Sequence, residues 1–226
     1  MNVAILFSGG KDSTMALYQA IENLDDVKCL LSIKSSNDES YMFHVPNINM
    51  ADMISEAVDI PLITQYTTGI KEKELEDLKT SFLKIKKLGI EGVYTGALYS
   101  TYQKSRIEKI ADEIGLKVIS PFWHVNVLDY MKKIVNLGFE FIICGVYAYG
   151  LDESWLGRKI DLEAILELEK IHEEYRINIA FEGGEAETLV LDGPIFKKKI
   201  EILKAEKEWN IDSGVYNILE AKLTEK

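Results

Sequence analysis

Short apolar runs alternate with amphipathic stretches through the first half of the chain. Strand-like runs occur at Val3–Phe7, Lys28–Ile33, Leu62–Tyr66, Gly92–Thr95 and Lys117–Ile119. Between them, apolar residues spaced by three and four predict helices near Ser13–Asn23, Asn49–Val58, Lys71–Leu88 and Thr101–Ile114. This alternation predicts a parallel sheet with helices on both faces. The stretch "KEKELEDLKTSFLKIKKLG" has the sharpest period, with Leu75, Leu78, Phe82, Ile85 and Leu88 on one stripe, acids early, lysines late and Gly89 as a stop. Its "KIKK" therefore reads as a helix C-terminus rather than a nucleic-acid patch.

Beyond Pro121 the texture changes. A helix near Val125–Leu137, a strand at Phe139–Val146 and a helix from Asp161 to Tyr175, with Asp161 as its N-cap, precede "NIAFEGGEAETLVLDGPIF", "KKKIEILKAEKEW" and "SGVYNILEAKL". The last three read as antiparallel strands joined by turns at Asp192–Gly193 and Asp212–Gly214. The predicted organisation is α/β: residues 1–121 form a Rossmann-like parallel sheet, and 122–226 a smaller α+β domain. The sequence shows no internal repeat or low-complexity linker.

The 226 residues are 47% hydrophobic, enough for a sizeable core, and carry a formal net charge of −11. That charge argues against loose binding to nucleic acid or to anionic lipid, both of which rely on excess lysine and arginine. Cys29 and Cys144 each sit inside an apolar run, without C-x-x-C spacing, and read as buried core thiols. His44, His124 and His172 are too scattered for a metal motif. No basic leader and no run of about 18 apolar residues occurs, so a soluble cytoplasmic protein is the expectation.

The chemistry centres on "ILFSGGKDSTMA". A strand entering a glycine-rich turn and then a helix brings backbone N–H groups and the positive helix end to one point, which suits phosphate. The stretch is neither G-x-x-x-x-G-K-[ST] nor G-x-G-x-x-G. It is similar to the PP-loop S-G-G-x-D-S of ATP pyrophosphatases, matching at Ser8, Gly9, Gly10, Asp12 and Ser13 directly after the first strand. The HUP-type fold follows from that resemblance, as does ATP cleavage between the α and β phosphates. By residue type, Gly9 and Gly10 admit phosphate close to the backbone. Ser8 and Ser13 supply hydroxyls, Lys11 neutralises phosphate charge, and Asp12 holds Mg²⁺ or fixes the loop.

Further segments resemble one family, the diphthine–ammonia ligases. They are "SYMFH" (Ser40–His44), "TGALYSTYQKSRIE" (Thr95–Glu108), "PFW" (Pro121–Trp123), "GLDESWLGRKID" (Gly150–Asp161) and "EGGEAETLVLDGPIF" (Glu182–Phe196). Two positions depart from the family's habit: Ala186 stands where an aromatic residue is usual, and Leu98 where isoleucine is frequent. The resemblance implies amidation by ammonium of the diphthine carboxylate on elongation factor 2. The route is an acyl-adenylate: ATP, bound with Mg²⁺, is cleaved, and AMP and pyrophosphate are released.

For ATP, the expected contacts are Ser8, Gly9, Gly10, Lys11, Asp12 and Ser13, with Gly96, Ser100, Gln103 and Arg106 facing the crevice at the carboxyl edge of the sheet. For the acceptor they are His44, Tyr102, Glu182, Gly184, Glu185 and Glu187. Lys11, Asp12, Glu185 and Glu187 are the catalytic candidates. "EGGEAET" is expected to bring Glu182, Glu185 and Glu187 together, a repulsion that a cation would offset. The trimethylammonium of diphthine, ammonium and Mg²⁺ are equal candidates for that cation. Neither nucleic acid nor membrane is an expected partner, and a homodimer stays open. Two other readings stay open as well: another PP-loop adenylating enzyme acting on tRNA, and a nucleotide-binding regulator without chemistry.

Overall fold

The computed structural model describes residues 1–35 and 46–226. Two compact units divide them. The first comprises Met1–Ser8, Asp12–Glu56 and Ile60–Trp123; the second comprises Gly9–Lys11, Ala57–Asp59 and His124–Lys226.

The first unit is a five-stranded parallel sheet of β1 (Asn2–Leu6), β2 (Asp26–Ser35), β3 (Leu62–Thr67), β4 (Gly92–Tyr94) and β5 (Lys117–Ile119), in the order β3-β2-β1-β4-β5. The strands alternate with α1 (Lys11–Glu22), α2 (Met50–Val58), α3 (Lys71–Lys87) and α4 (Thr101–Ile114). Val3, Ala4 and Ile5 of β1 are all fully buried, as a strand covered on both faces requires. On one side, Leu78, Phe82 and Ile85 of α3 pack with Ile107, Ile110 and Ala111 of α4 over Ala4, Leu31, Ile33 and Val93. The α3 stripe is thus as the period predicts, save for its last member. Leu88 is the C-cap and is 65% exposed, because the helix has ended before its side chain can turn back to the sheet. Strand order reverses between β1 and β4, which opens a crevice beyond their carboxyl ends.

The second unit contains α5 (Val127–Asn136), β6 (Glu140–Val146), a 3₁₀ turn at Glu153–Trp155, α6 (Leu162–Tyr175), β7 (Ala186–Asp192), β8 (Lys198–Asn210) and β9 (Ser213–Glu225). Asp161 caps α6 by accepting the Ala164 N–H at 2.8 Å, and Gly157 bends the chain at φ +74°. The sheet is antiparallel in the order β7-β6-β9-β8. This corrects the expected hairpin across Asp192–Gly193: β7 pairs with β6, and the residues after it carry the chain past β6 and β9 to the far edge. The true hairpin joins β8 to β9, with Asn210 opposite Ser213 and Ile211–Asp212 as the two-residue loop. Ile211 takes φ +58° there. The turn therefore falls one residue earlier than Asp212–Gly214.

Cys29 and Cys144 are both buried and unbridged. Burial pushes the Cys29 thiol up to about 11. Among the described residues, no helix is long and apolar enough to cross a membrane.

Candidate functional site

The loop after β1 lies at the switch point of the first sheet. Ser13 is nearly buried, and its Oγ accepts the Ser8 N–H at 3.3 Å and lies 3.2 Å from Ser8 Oγ, which draws the two ends of the loop together. Asp12 stands in the first turn of α1, where its charge complements the positive helix end. Gly96, just past β4, packs on this turn. A Cβ there would lie 2.5 Å from the Asp12 carbonyl carbon and 2.7 Å from the Ser13 nitrogen. Only a residue without a side chain lets the end of β4 come this close, so Gly96 shapes the cradle through its bare backbone. Thr95 and Ser120 join hydroxyls at 2.9 Å beside it.

In the second unit, Gly9–Lys11 run against β7 and the segment before it. Gly9 adopts φ +85°, and its carbonyl accepts the Val190 N–H at 3.0 Å. The Lys11 N–H donates to Thr188 Oγ1 at 3.2 Å. The Lys11 side chain is only 2% exposed; its Nζ donates to the Ala180 carbonyl at 2.6 Å and lies 5.5 Å from the centre of the Phe181 ring. In this arrangement the ammonium is held by a carbonyl and an aromatic face. Phe181 itself takes φ +64°, a left-handed backbone that a bulky residue adopts at a cost of about 1–3 kcal/mol. Neither Ala180 nor Phe181 nor Thr188 stands out in the sequence. Ala180 acts through its main chain, and Thr188 is one of several hydroxyls in a strand.

Among the described residues, Glu182, Glu185 and Glu187 do not come together as a metal site. Glu185 turns back into its own loop, its Oε1 accepting the Asn178 N–H and its Oε2 the Gly183 N–H, both at 2.8 Å. A Cβ at Gly183 would sit 2.7 Å from Glu185 Oε1, so the glycine is what lets the carboxylate fold in. With both oxygens engaged by backbone donors, Glu185 needs no cation to offset its charge. Among the described residues, no three acidic, histidine or cysteine side chains converge as a metal site. Gly184, at φ +82°, has open space where a side chain would be. Glu187 lies beside Tyr147: burial first, and then the Glu187 charge, push the Tyr147 phenol up to about 12.

Two family models cover the chain. The diphthamide synthase N-terminal domain matches residues 1–118, and the diphthamide synthase C-terminal domain matches residues 126–224. The chain belongs to the diphthine–ammonia ligase family. The protein of that name from Mus musculus is 32% identical over 91% of this chain and 84% of its own length. The Homo sapiens protein is 31% identical over the same shares. The Schizosaccharomyces pombe protein is 31% identical over 91% of this chain but 37% of its own length. In this diphthine–ammonia ligase family member, the stretch matched by the N-terminal model contains Ser8–Ser13 and Gly96. The stretch matched by the C-terminal model contains Glu182, Glu185 and Glu187.

The α4 residues part company. Ser100 is the N-cap of α4 and accepts the Gln103 N–H, so these two close the helix start. Arg106 donates to the Tyr102 carbonyl at 3.3 Å and stacks 3.4 Å from the centre of the Tyr102 ring. It lines a 580 Å³ groove between α3 and α4, together with Leu75, Lys79, Lys109 and Glu113. Glu108, two residues on, pairs with Lys104. Arg106 and Tyr102 therefore pair with each other, one helical turn apart, rather than both projecting over the loop. His44 lies outside the described residues.

Proposed function

We propose that this protein is an ATP-dependent amide-forming ligase that converts the diphthine carboxylate of elongation factor 2 to its amide, the last step of diphthamide biosynthesis. Residues 1–121 serve as the ATP-binding domain and 122–226 as the acceptor domain. The observation that carries this reading is the complete S-G-G-x-D-S loop at the head of α1, with Gly96 packed on it, in a chain of this family. The fit to a nucleotide rests on that loop, packed on the bare backbone of Gly96, and on the first-turn N–H groups of α1.

The acceptor carboxylate oxygen attacks the α phosphorus, the bond to the bridging oxygen of the β phosphate breaks, and pyrophosphate leaves. Ammonia then attacks the activated carbonyl carbon. The carbon–oxygen bond to the phosphate breaks, AMP leaves, and the surplus proton passes to solvent. Ser8, Gly9, Gly10 and Ser13 hold phosphate oxygens through N–H and hydroxyl groups. Lys11 meets the departing pyrophosphate by leaving the Ala180 carbonyl for phosphate oxygens. Asp12 would hold Mg²⁺, which would neutralise phosphate charge. Gly96, Ser100 and Gln103 shape the nucleotide crevice, and Arg106 reaches it only by leaving Tyr102. Glu182, Gly184, Glu187, Tyr102 and His44 serve as acceptor contacts in this reading, while Glu185 braces the loop that carries Gly184. Most of the rate comes from alignment and charge neutralisation. Cytoplasmic placement follows from the acceptor, a translation factor.

Wild-type protein given Mg-ATP, ammonium and diphthine-bearing elongation factor should release AMP and pyrophosphate only when the acceptor is present. Lys11→Ala and Asp12→Ala should abolish both products from folded protein. ADP as the product would overturn the assignment.

A further inference from the structure

The second unit presents a corner of aromatic rings that none of the assigned roles uses. β6 ends at Val146, and the chain continues through Tyr147, Tyr149 and Gly150 toward the 3₁₀ turn; Tyr175 is the last residue of α6. Tyr149 and Tyr175 meet edge to face, with ring centres 5.2 Å apart and planes at 82°, so they stand as two walls at a right angle. Both walls face solvent: Tyr149 is 79% exposed and Tyr175 39%.

The corner is built in. Gly150 takes φ +100°, and a Cβ there would lie 2.6 Å from the Tyr175 ring, so that ring rests on bare backbone. Gly145 does the same for Tyr147, where a Cβ would come 2.7 Å from the phenol oxygen. The Tyr147 N–H donates to the Glu185 carbonyl at 2.9 Å, which ties the aromatic stretch to the start of β7. Negative charge lies close by. The Glu174 carboxylate is hydrogen-bonded to the Tyr175 phenol and raises its pKa, and Glu187 acts on Tyr147.

Exposed ring faces with carboxylates near them suit one class of ligand. A primary ammonium is strongly hydrated and seeks hydrogen-bond acceptors. A quaternary ammonium has no N–H to satisfy, spreads its charge over methyl groups, and gains most from aromatic faces. We propose that the Tyr149–Tyr175 corner binds the trimethylammonium group of the diphthine side chain. This assignment rests on the ligase reading and chooses among the cations that the acidic segment left open. Specificity for the fully methylated acceptor then resides in the rings, and the amide-forming carboxylate is positioned by its own substituent.

The test combines binding and turnover in the full chain. With ring-labelled tyrosine, NMR titration with choline should move the Tyr149 and Tyr175 signals. Binding should be about 2- to 30-fold tighter than for dimethylbutanol, its neutral carbon isostere. Tyr149→Leu should abolish that preference and Tyr149→Phe should keep it; at so exposed a position neither change disturbs the core. In the amidation assay, Tyr149→Leu should raise KM for diphthine-bearing elongation factor by a similar factor, leaving kcat and KM for ATP within about twofold. Equal binding of choline and its isostere, or an unchanged KM in Tyr149→Leu, would overturn the corner. If wild-type protein forms no amide at all, the ligase reading falls, and the choline titration still decides the corner.

Discussion

Replacing Gly96 by alanine tests the cradle without removing any functional group. The added Cβ would sit 2.5 Å from the Asp12 carbonyl carbon, 2.7 Å from its oxygen and 2.7 Å from the Ser13 nitrogen. All three neighbours are backbone, so no side chain can rotate away. Reaching even 3.0 Å requires the loop or the end of β4 to move by about 0.5 Å, and an ordinary 3.4 Å contact by about 0.9 Å. Overpacking of this kind costs about 1–3 kcal/mol. In a chain of this size that lowers Tm by about 2–4 °C for each kcal/mol. The effect on turnover should be larger, because a shift near 1 Å in a positioned reacting group costs on the order of 100-fold in rate. Calorimetry and an AMP-release assay on one preparation separate the two effects. A Gly96→Ala protein with wild-type kcat would refute the claim that this contact sets the loop, whatever its Tm.

Lys11→Met keeps the buried volume but removes the donor to the Ala180 carbonyl; it should cost about 1–3 kcal/mol in urea unfolding and abolish AMP release. Glu185→Ala leaves the Asn178 and Gly183 N–H groups without their acceptor and should destabilise by about 1–3 kcal/mol, with Glu185→Gln recovering part of it. Wild-type-like stability in Glu185→Ala would show that the carboxylate is not the loop's brace. Glu140 is held below its usual 4.5 by hydrogen bonds from Lys159 first and Lys199 second. Its folded pKa lies below its unfolded value, so its contribution is complete above about pH 4.5 and is lost as pH falls through the folded value. The stability gap between wild type and Glu140→Gln, from denaturant titrations at pH 6 down to about pH 3, should therefore narrow toward acid; a constant gap would exclude the linkage.

What was legible in the sequence is what local chemistry decides. The α3 stripe, the Asp161 cap and the loop after β1 all depend on residues within a turn or two of each other, and each stands where its pattern puts it. Leu88 shows the limit of periodicity, since the pattern continues one residue past the point where the helix has a surface to cover. The order of the second sheet was not legible. Two strands separated by a turn sequence read as a hairpin, yet β7 gains its partner from β6, more than 40 residues upstream, and only the register of β6 could reveal it. The site divides in the same way. The residue types of the loop announce phosphate. That Lys11 is held by the carbonyl of Ala180, and that Glu185 braces Asn178 and Gly183, depends on main-chain groups that carry no side-chain signature. Gly96 stands out in the sequence by its place after β4, while its close packing on the Asp12–Ser13 backbone shows only in the structure.

The most direct test of the central claim is intact-mass spectrometry of diphthine-bearing elongation factor after incubation with this protein, Mg-ATP and ammonium, with AMP measured in parallel. The account predicts that the modified histidine loses about one mass unit as a carboxyl hydroxyl is replaced by an amino group, with one AMP formed for each acceptor converted. An unchanged acceptor mass in the presence of folded, ATP-bound protein would contradict it.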